Sequence, residues 1–363
     1  MMNERTFRAV ELLKRLIRTP SLSREEQAAA DIMEEYLRRD STVVYRHINN
    51  VWAVAKHFDE TKPTILLNSH VDTVKANKDW TKDPFGAEQE GDVLYGLGSN
   101  DAGGPLVTYA TVFIHFAEQE PTSCNIIFAA TAEEEISGSN GIVSILEKLP
   151  NVDLALVGEP TEMQMAVAEK GLMVVQCAAR GKSGHAARNE GENAIDKALR
   201  DVQWFHEYRF PKESAQLGPI KMTTTIINAG TQHNVVPDVC TFTVDIRTTD
   251  AYTHDEVLEV ITQNIESEIE KVSKRLHPSH IEMTHPIVRA AERCGMGLYG
   301  SPTLSDQSLM TMPRVKIGPG SSSRSHTANE YIRITEIDEG IDLMQRLIHE
   351  AVKEMSQHTR KEQ

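Results

Sequence analysis

Acidic residues and histidines follow several apolar segments of the chain at the point where each segment ends. In chain order they are His70 and Asp72 after TILLNS, Asp101 in GLGSNDAGG, Glu133, Glu134 and Glu135 after NIIFAAT, Glu159 after LALVG, and His326 after GPGSSSRS. Ligands of open α/β sheets bind at the carboxyl ends of the strands. If these segments are neighbouring strands, the polar side chains will converge at one edge of a sheet.

Imidazole nitrogen and carboxylate oxygen are ligands that zinc accepts. Two metal ions about 3.5–4 Å apart can stabilise a hydrolytic transition state, and a carboxylate between them could bridge both. Such a site also needs a base that is not itself a ligand, and adjacent glutamates can divide those two roles. Taken singly, each motif has an ordinary explanation, such as a loop residue or an acidic helix start. Their shared position at strand ends favours a metal-dependent hydrolytic site.

Two other motifs do not match the chemistry that they resemble. The segment 96–100, GLGSN, begins like a dinucleotide-binding fingerprint, but Asp101 stands where the third glycine is required. The segment 137–141, SGSNG, has serine where a nucleophile elbow begins with glycine. A Rossmann oxidoreductase and a serine hydrolase are therefore disfavoured.

Helix and strand patterns alternate in the first part of the chain, which predicts a largely parallel sheet. The predicted helices are 24–38, 105–119 and 141–149, and the predicted strands are 43–48, 51–58, TILLNSHVD, NIIFAAT and LALVGEP. Near the other terminus, EIDEGIDLMQRLIHEAVKEM predicts a final helix.

The middle of the chain predicts a compact β-α-β-β-α-β unit. Its predicted elements are strands at 172–179, 221–229 and 239–248, helices at 192–209 and 254–270, and a last strand at 280–284. We therefore expect an α/β fold: a largely parallel, mixed sheet flanked by helices, with an inserted smaller α+β domain. The expected domains are a discontinuous one, 1–170 and 283–363, and the inserted one, 171–282.

Length and charge exclude several classes of protein. The 363 residues predict two or three domains, and the net charge of −15 disfavours binding to nucleic acid or to an anionic membrane. No run of about 18 apolar residues indicates a transmembrane helix, and the N-terminal segment reads as an amphipathic helix without a signal peptide. The four cysteines are far apart, which is typical of free thiols in a reducing cytosol, so we expect a cytoplasmic protein.

Several stretches together resemble a known family. They are SHVDTV, WTKDPFGAEQEGDVLYGLGSNDAGG, TAEEEISGSNG, GEPT, GKSGHAAR, NVVPDVCTFTVDIR and SSSRSHTANE. In this order, over about residues 65–330, they resemble the two-zinc family that includes acetylornithine deacetylase, succinyl-diaminopimelate desuccinylase, aminoacylase and glutamate carboxypeptidase.

The resemblance implies a role for each candidate residue and a cofactor of two Zn²⁺ or Co²⁺ ions. His70 and Glu159 would hold one metal, Glu135 and His326 the other, Asp101 would bridge both, Glu134 would be the general base, Asp72 would orient His70, and Asn234 and Arg247 would contact substrate. The chain departs from the family pattern at Leu97, Asn100, Ala102 and Glu133, where arginine, a small or apolar residue, methionine and aspartate are common. None of these departures removes a proposed ligand.

The function implied is a zinc-dependent amidohydrolase that removes an acyl group from the α-nitrogen of an amino acid, with acetylornithine, in arginine biosynthesis, as the first choice of substrate. Glu134 would take a proton from the attacking water and return it to the leaving amine. Alternatives within the class are succinyl-diaminopimelate desuccinylase, an acylcitrulline deacylase and a dipeptidase. The alternative from another class is a catalytically silent binding protein on the same fold.

One further residue lies in the inserted domain. From its spacing alone, His185 in GKSGHA would be a loop histidine without a role. The resemblance implies instead that the domain pairs two subunits into a homodimer. His185 would then reach the partner's active site and stabilise the developing oxyanion.

Overall fold

The computed structural model of the protein describes residues 3–119, 123–188 and 190–362. The chain divides into two compact units, the first formed by Met1–Val167, His280–Tyr299 and Ser305–Gln363, and the second by Ala168–Ser279 and Gly300–Leu304. The sequence placed the boundaries of the inserted segment at 171 and 282. Its role in pairing two subunits stays a prediction.

The helices are α1 (Glu4–Ile17), α2 (Gln27–Leu37), α3 (Gly104–Ala117), α4 (Val143–Leu146), α5 (Ala194–Glu207), α6 (His254–Asn264), α7 (Pro286–Arg293) and α8 (Ile334–Glu362). Shorter helical turns lie at Ser99–Gly103, Asp306–Leu309 and Ser322–Arg324. Among the described residues, none of the helices combines the length and the apolar character needed to cross a bilayer.

The strands of the first unit and its borders are β1 (Thr42–His47), β2 (Asn50–Ala55), β3 (Thr64–His70), β4 (Gln89–Glu90), β5 (Val93–Tyr95), β6 (Asn125–Thr131), β7 (Leu154–Val157) and β8 (Met165–Glu169). The remaining strands are β9 (Gly171–Arg180), β10 (Gly184–His185), β11 (Lys221–Ala229), β12 (Val235–Val236), β13 (Val239–Thr248), β14 (Glu268–Leu276), β15 (Ser279–His280), β16 (Leu298–Ser301), β17 (Arg314–Lys316) and β18 (Tyr331–Arg333).

The large sheet has the strand order β1-β2-β6-β3-β7-β17-β8-β15, and β16 also pairs with β8. Its centre is parallel, because β3 runs parallel to both β6 and β7, and β7 runs parallel to β17. Towards one edge, β2 pairs antiparallel with both β6 and β1. The predicted mixed α/β fold is confirmed.

Strand β3 explains why its sequence is a continuous apolar run. All of its residues are buried, since both faces of the sheet are covered. Ile65 and Leu67 pack into the core formed with α1, α2, α3, α7 and α8, whereas Leu66 packs on the opposite face with Ile145 of α4. Each such side chain contributes about 1.5–3 kcal/mol through burial. The functional groups at the end of β3 therefore extend from a rigid support.

The second unit is built on a four-stranded antiparallel sheet with the order β11-β13-β9-β14. Strand β13 alternates between buried and partly exposed residues, as a sheet with one covered face requires. Phe242, Val244 and Ile246 pack on the covered face in the core that includes residues of α5 and α6.

One predicted helix is wrong in its length. The pattern predicted a helix over 254–270, but α6 ends at Asn264 and Glu268–Leu276 form β14, paired antiparallel with β9. The carboxylate of Asp201 accepts the backbone N–H groups of Glu266 and Ser267, which gives these donors a partner outside a helix. The last strand predicted at 280–284 is also wrong, because pairing there covers only Ser279–His280.

Candidate metal centre

The register of the parallel strands brings the strand-end residues together. His70, the last residue of β3, lies opposite Thr131, the last residue of β6, and Asn68 lies opposite Val157, the last residue of β7. The segments that follow β6 and β7 carry Glu133, Glu134 and Glu135 in one case and Glu159 in the other. The continuous apolar runs of the sequence thus end at one edge of the sheet.

Asp101 and His326 reach the same edge from loops. Asp101 lies in the turn Ser99–Gly103 that precedes α3, and His326 follows the turn Ser322–Arg324. His70 Nε2 lies 3.2 Å from Asp101 Oδ1, and His326 Nε2 lies 3.7 Å from Asp101 Oδ2. The two carboxylate oxygens of Asp101 therefore face different histidines.

Two groups of side chains could each hold a metal ion. They are His70, Asp101 and Glu159 in the first group, and Asp101, Glu135 and His326 in the second. Within each group the potential ligand atoms lie within 4.8 Å of one another. Asp101 belongs to both groups. All five residues that the resemblance implied as ligands are thus brought together, although their roles as ligands stay a prediction.

The two groups differ in exposure. The side chain of His70 is 1% exposed and that of Glu159 12%. In the second group, Glu135 is 7% exposed but His326 is 54% exposed, and His326 Nε2 lies 2.9 Å from Glu135 Oε2. The second group is therefore the one that solvent reaches, through His326.

Burial of so many carboxylates has a strong electrostatic effect. Burial, followed by the charge of Glu159, raises the pKa of Glu134 well above its usual range. Burial also raises the pKa of Glu159 well above its usual range, and the charge of Asp101 adds to it. For His70, burial disfavours the imidazolium, but hydrogen bonds to Asp101 and Asp72 outweigh it, so its pKa is raised. A bound cation would relieve the repulsion among these carboxylates, so the donor set fits metal ions.

Asp72 accepts backbone hydrogen bonds from Glu134, which the resemblance implies as the general base, and from the residue that follows it. Its carboxylate accepts the N–H of Glu134 (3.0 Å), the N–H of Glu135 (3.2 Å) and the hydroxyl of Ser23 (2.7 Å). His70 Nδ1 donates to the backbone oxygen of Asp72 at 2.9 Å, whereas the Asp72 carboxylate lies 3.5 Å away. Asp72 thus orients His70 mainly through its main chain, and its side chain positions Glu134 and Glu135.

Glu133 separates from its two neighbours. It is buried, with φ at 55°, and its carboxylate accepts both the backbone N–H and the side-chain amide of Asn140, at 3.1 and 2.9 Å. Its own N–H donates to Glu26 at 3.2 Å. The run of three glutamates is therefore divided: one member shapes the loop and two face the site.

Two buried carboxylates near the site were not found from the sequence. Glu330 accepts three backbone N–H groups of the turn that carries Asp101, and burial raises its pKa to about 8. Asp306 accepts the hydroxyl of Thr131 at 2.9 Å, and burial raises its pKa to about 7. The only signal for Glu330 was its place four residues after His326. For Asp306, an acid among the small residues of LSDQS, we find no pattern that would have identified it.

His185, Asn234 and Arg247 belong to the second unit. His185 and Asn234 are neighbours there, because β10 pairs with β12 and Ala186 N–H donates to the backbone oxygen of Asn234 at 3.0 Å. His185 Nδ1 accepts the N–H of Ala187 at 3.1 Å, so the neutral ring carries its hydrogen on Nε2. The exposed imidazole therefore presents a donor.

Arg247 lies at the other end of the second unit's sheet. Arg247 pairs with Leu172 of β9, whereas Val239, next to the β10–β12 ladder, pairs with Arg180. The eight residue-to-residue steps from Leu172 to Arg180 span about 26 Å at about 3.3 Å per step. The guanidinium donates to both oxygens of Asp245, at 2.8 and 3.1 Å. Along β13, Arg247 therefore lies near the opposite end from the segment that leads to the His185–Asn234 pair.

The chain matches peptidase family M20/M25/M40 over residues 66–350. It is 28% identical over 288 residues to succinyl-diaminopimelate desuccinylase 2 of Ruegeria sp., covering 75% of this chain and 73% of that protein. It is 27% identical over 339 residues to a putative [LysW]-lysine/[LysW]-ornithine hydrolase of Pyrobaculum aerophilum, covering 90% of this chain and 93% of that protein.

Solved structures share the fold over nearly the whole chain. Aminopeptidase PepT from Bacillus cereus superposes with a TM-score of 0.78 at 18% identity, covering 95% of this chain and 98% of that one. The YXEP protein of Bacillus subtilis, described as a dinuclear metal binding peptidase, superposes with a TM-score of 0.71 at 16% identity, covering 96% and 98%. Since the family match extends over well more than half of the sequence, the chain belongs to peptidase family M20/M25/M40 and is a metal-dependent amidohydrolase of that family.

Proposed function

We propose that the protein hydrolyses the amide bond of an N-acylated amino acid with the help of two metal ions. The observation that carries this proposal is the position of Asp101, whose two carboxylate oxygens face His70 on one side and His326 on the other. Glu134 lies beside this arrangement, with Oε2 at 4.0 Å from His70 Nε2.

In this proposal, His70, Asp101 and Glu159 hold one metal and Asp101, Glu135 and His326 hold the other, as Zn²⁺ or Co²⁺. Nitrogen and oxygen donors of this kind suit either ion. When bound, the metals supply Lewis-acid stabilisation of the negative charge that develops on the amide oxygen.

Glu134 acts as the general base and then the general acid. Its backbone N–H is held by Asp72, so its carboxylate is presented from a fixed loop. A carboxylate held in this way can accept a proton from water at one step and return it to the leaving amine at the next. Because Glu134 is in neither donor group, it remains free for this task.

For the substrate, acetylornithine remains the first choice, in arginine biosynthesis and in the cytoplasm. Succinyl-diaminopimelate is the second, since relatives bear the name of its desuccinylase. The name of the Pyrobaculum aerophilum relative also contains lysine and ornithine, which are diamino acids as well. Acylcitrulline and dipeptides are the further candidates. We expect a free α-carboxylate on the substrate, contacted by Arg247.

We also propose that the active enzyme is a homodimer in which His185 stabilises the oxyanion in the partner's site. The neutral imidazole offers Nε2–H as the donor, and such a donor contributes about 2.7–4 kcal/mol to a transition state. The separation of Arg247 from His185 and Asn234 supports this arrangement. If all three contact one substrate, this separation along the strand favours their coming from different copies of the chain.

The test of the function combines a metal count with a substrate panel. The protein is dialysed against Zn²⁺, its bound metal is measured, and kcat/KM is determined for acetyl and succinyl derivatives of ornithine, citrulline and diaminopimelate and for dipeptides. We expect two metal ions per chain and one acyl class preferred over the other. Turnover of none of these compounds by metal-loaded protein would favour a silent binding protein.

The dimer is tested by mixing two inactive variants, His185→Ala and Glu134→Ala. A mixed dimer has one site with both residues intact, so exchange of subunits should restore part of the activity. A fully active monomer in sedimentation, or no rescue despite demonstrated subunit exchange, would contradict the shared site.

A further inference from the structure

The turn that presents Asp101 is held by a carboxylate from the loop that carries His326. Glu330 Oε1 accepts the N–H of Asn100 (2.8 Å) and of Asp101 itself (2.9 Å), and Oε2 accepts the N–H of Gly98 (3.1 Å). The side chain is almost completely buried, at 2% exposure for the residue. Three backbone hydrogen bonds to one buried carboxyl group thus fix the main chain at Asp101.

A second connection joins the same two segments, this time through a side chain of the Asp101 turn that reaches the backbone before His326. The side-chain amide of Asn100 donates to the backbone oxygen of Ser321 at 3.0 Å, and its oxygen accepts the N–H of Ser321 at 2.9 Å. Asn100 is fully buried, and a Cβ placed on Gly320 would lie 2.5 Å from its oxygen. The close fit requires glycine at 320, which also has φ at 87°.

The two connections act on neighbouring residues, and they join the Asp101 turn to the chain after and before His326. Glu330 reaches from the His326 loop to the backbone of Asp101, and Asn100, next to Asp101, reaches to Ser321, five residues before His326. Between them lies Asp101, 3.2 Å from His70 and 3.7 Å from His326. Neither side chain belongs to a donor group.

From this geometry we infer that Glu330 and Asn100 are positioning residues which lock the Asp101 turn and the His326 loop together, and so set the affinity of the site for its metals. The inference rests on the proposed two-metal function. Partners that orient metal ligands typically contribute about 10–100-fold to metal affinity or activity. Neither residue touches substrate in this account.

The test measures Zn²⁺ affinity of the metal-stripped protein by competition with a chromophoric chelator. In Glu330→Gln, the amide has only one oxygen for three N–H donors, and its NH₂ group faces at least one of them. We expect the dissociation constant for Zn²⁺ to rise about 10–100-fold. The zinc concentration that gives half-maximal activity should rise with it.

A matched control distinguishes positioning from general destabilisation. Asp201 is also a buried carboxylate that accepts two backbone N–H groups, those of Glu266 and Ser267, but it lies in the second unit. Asp201→Asn should lower the unfolding temperature and leave the Zn²⁺ dissociation constant unchanged. Equal weakening of Zn²⁺ binding by both variants would overturn the inference.

Asn100→Ala gives a second route that does not depend on how well Glu330→Gln folds. It leaves the hydrogen bonds of Glu330 in place and removes only the contact with Ser321, so we expect a smaller rise, about tenfold or less. Wild-type Zn²⁺ affinity in both variants would overturn the positioning role while leaving the function intact. Wild-type protein that binds fewer than two zinc ions would overturn the proposed function instead, and this inference with it.

Discussion

The two units use charged residues in different ways. In the first unit, carboxylates gather at the ends of parallel strands, are buried, and repel one another, as the raised pKa values of Glu134 and Glu159 indicate. In the second unit, charges pair along the sheet, as Arg180 does with Glu268 and Glu270 and Arg247 with Asp245. A buried cluster of like charges is typical of a functional site, whereas paired surface charges need no functional explanation.

The largest effect should come from separating the two glutamates that face the site. Glu134→Gln should lower kcat by about 10²–10⁴-fold and leave the bound zinc near two per chain, because a general base acts on protons. Glu135→Ala should lose zinc. The measurement is steady-state kinetics with metal analysis on the same samples. Loss of zinc from Glu134→Gln, with activity in excess metal, would reverse the two roles.

A smaller loss is expected from Asp72→Asn. The amide cannot accept the N–H of both Glu134 and Glu135 while its NH₂ group faces one of them, so the loop should shift. We expect kcat/KM to fall about 10–100-fold, as for other partners of metal ligands. Ser23→Ala removes only the hydroxyl donor to Asp72 and is the milder control. Equal activity of Asp72→Asn and wild type would show that the main chain of Asp72 suffices.

Arg247 is the one paired charge of the second unit for which we expect a function. As a clamp on the substrate carboxylate, Arg247 would contribute about 1.5–3 kcal/mol, which corresponds to about 10–100-fold in kcat/KM. Arg247→Ala should therefore raise KM or lower kcat/KM, with the fold intact by circular dichroism.

Arg180→Ala is the matched control for Arg247, since Arg180 is also a sheet arginine paired with carboxylates. It should leave the kinetics unchanged. If both variants hydrolyse the best substrate as wild type does, Arg247 is a surface arginine like its control.

The smallest effect concerns stability against acid in the second unit. His254 is buried, donates from Nδ1 to the backbone oxygen of Lys274 and accepts the hydroxyl of Thr248 at Nε2. Burial lowers its pKa below the usual value of about 6.5. The His254 imidazole therefore binds a proton more readily in the unfolded chain than in the folded one. The stabilisation that is present above about pH 6.5 is lost as the pH falls from there towards the lower pKa of the folded state.

Thermal unfolding between pH 7.5 and 5 measures this. The unfolding temperature of wild type should fall more steeply with pH than that of His254→Gln, which has no such group to titrate. His206→Gln, at an exposed position of α5, should follow wild type. Parallel curves for wild type and His254→Gln would assign the acid sensitivity to other groups.

The convergence of the strand-end residues was easier to predict from the sequence than the elements of the second unit. Apolar runs that end in His, Asp or Glu can be recognised in the sequence. Parallel pairing of the strands then places the residues at their ends side by side, as it does for His70 and Glu159. Strand β14 was missed because charged residues alternate with Ile269 and Val272, so its apolar pattern is weak. Propensity alone extends a helix through such a segment.

Contacts that depend on how two loops approach each other could not be predicted. The hydrogen bonds of Glu330 to the Asp101 turn join residues more than 220 positions apart. Glu330 stands in the polar segment HTANE, where an acid is ordinarily exposed. The different roles of Glu133, Glu134 and Glu135 could be expected only from the resemblance, because three consecutive glutamates give no sequence signal that distinguishes them.

The backbone of Glu133 is left-handed, with φ at 55°, and the same conformation occurs at Ser137, His326 and Asn329. For residues other than glycine and asparagine this conformation costs about 1–2 kcal/mol each. These loops therefore set a limit on thermostabilisation. Engineering for heat resistance should begin in the helices and the second unit. Substitutions that relieve the backbone strain at these four residues would also displace the side chains that the strained backbone positions.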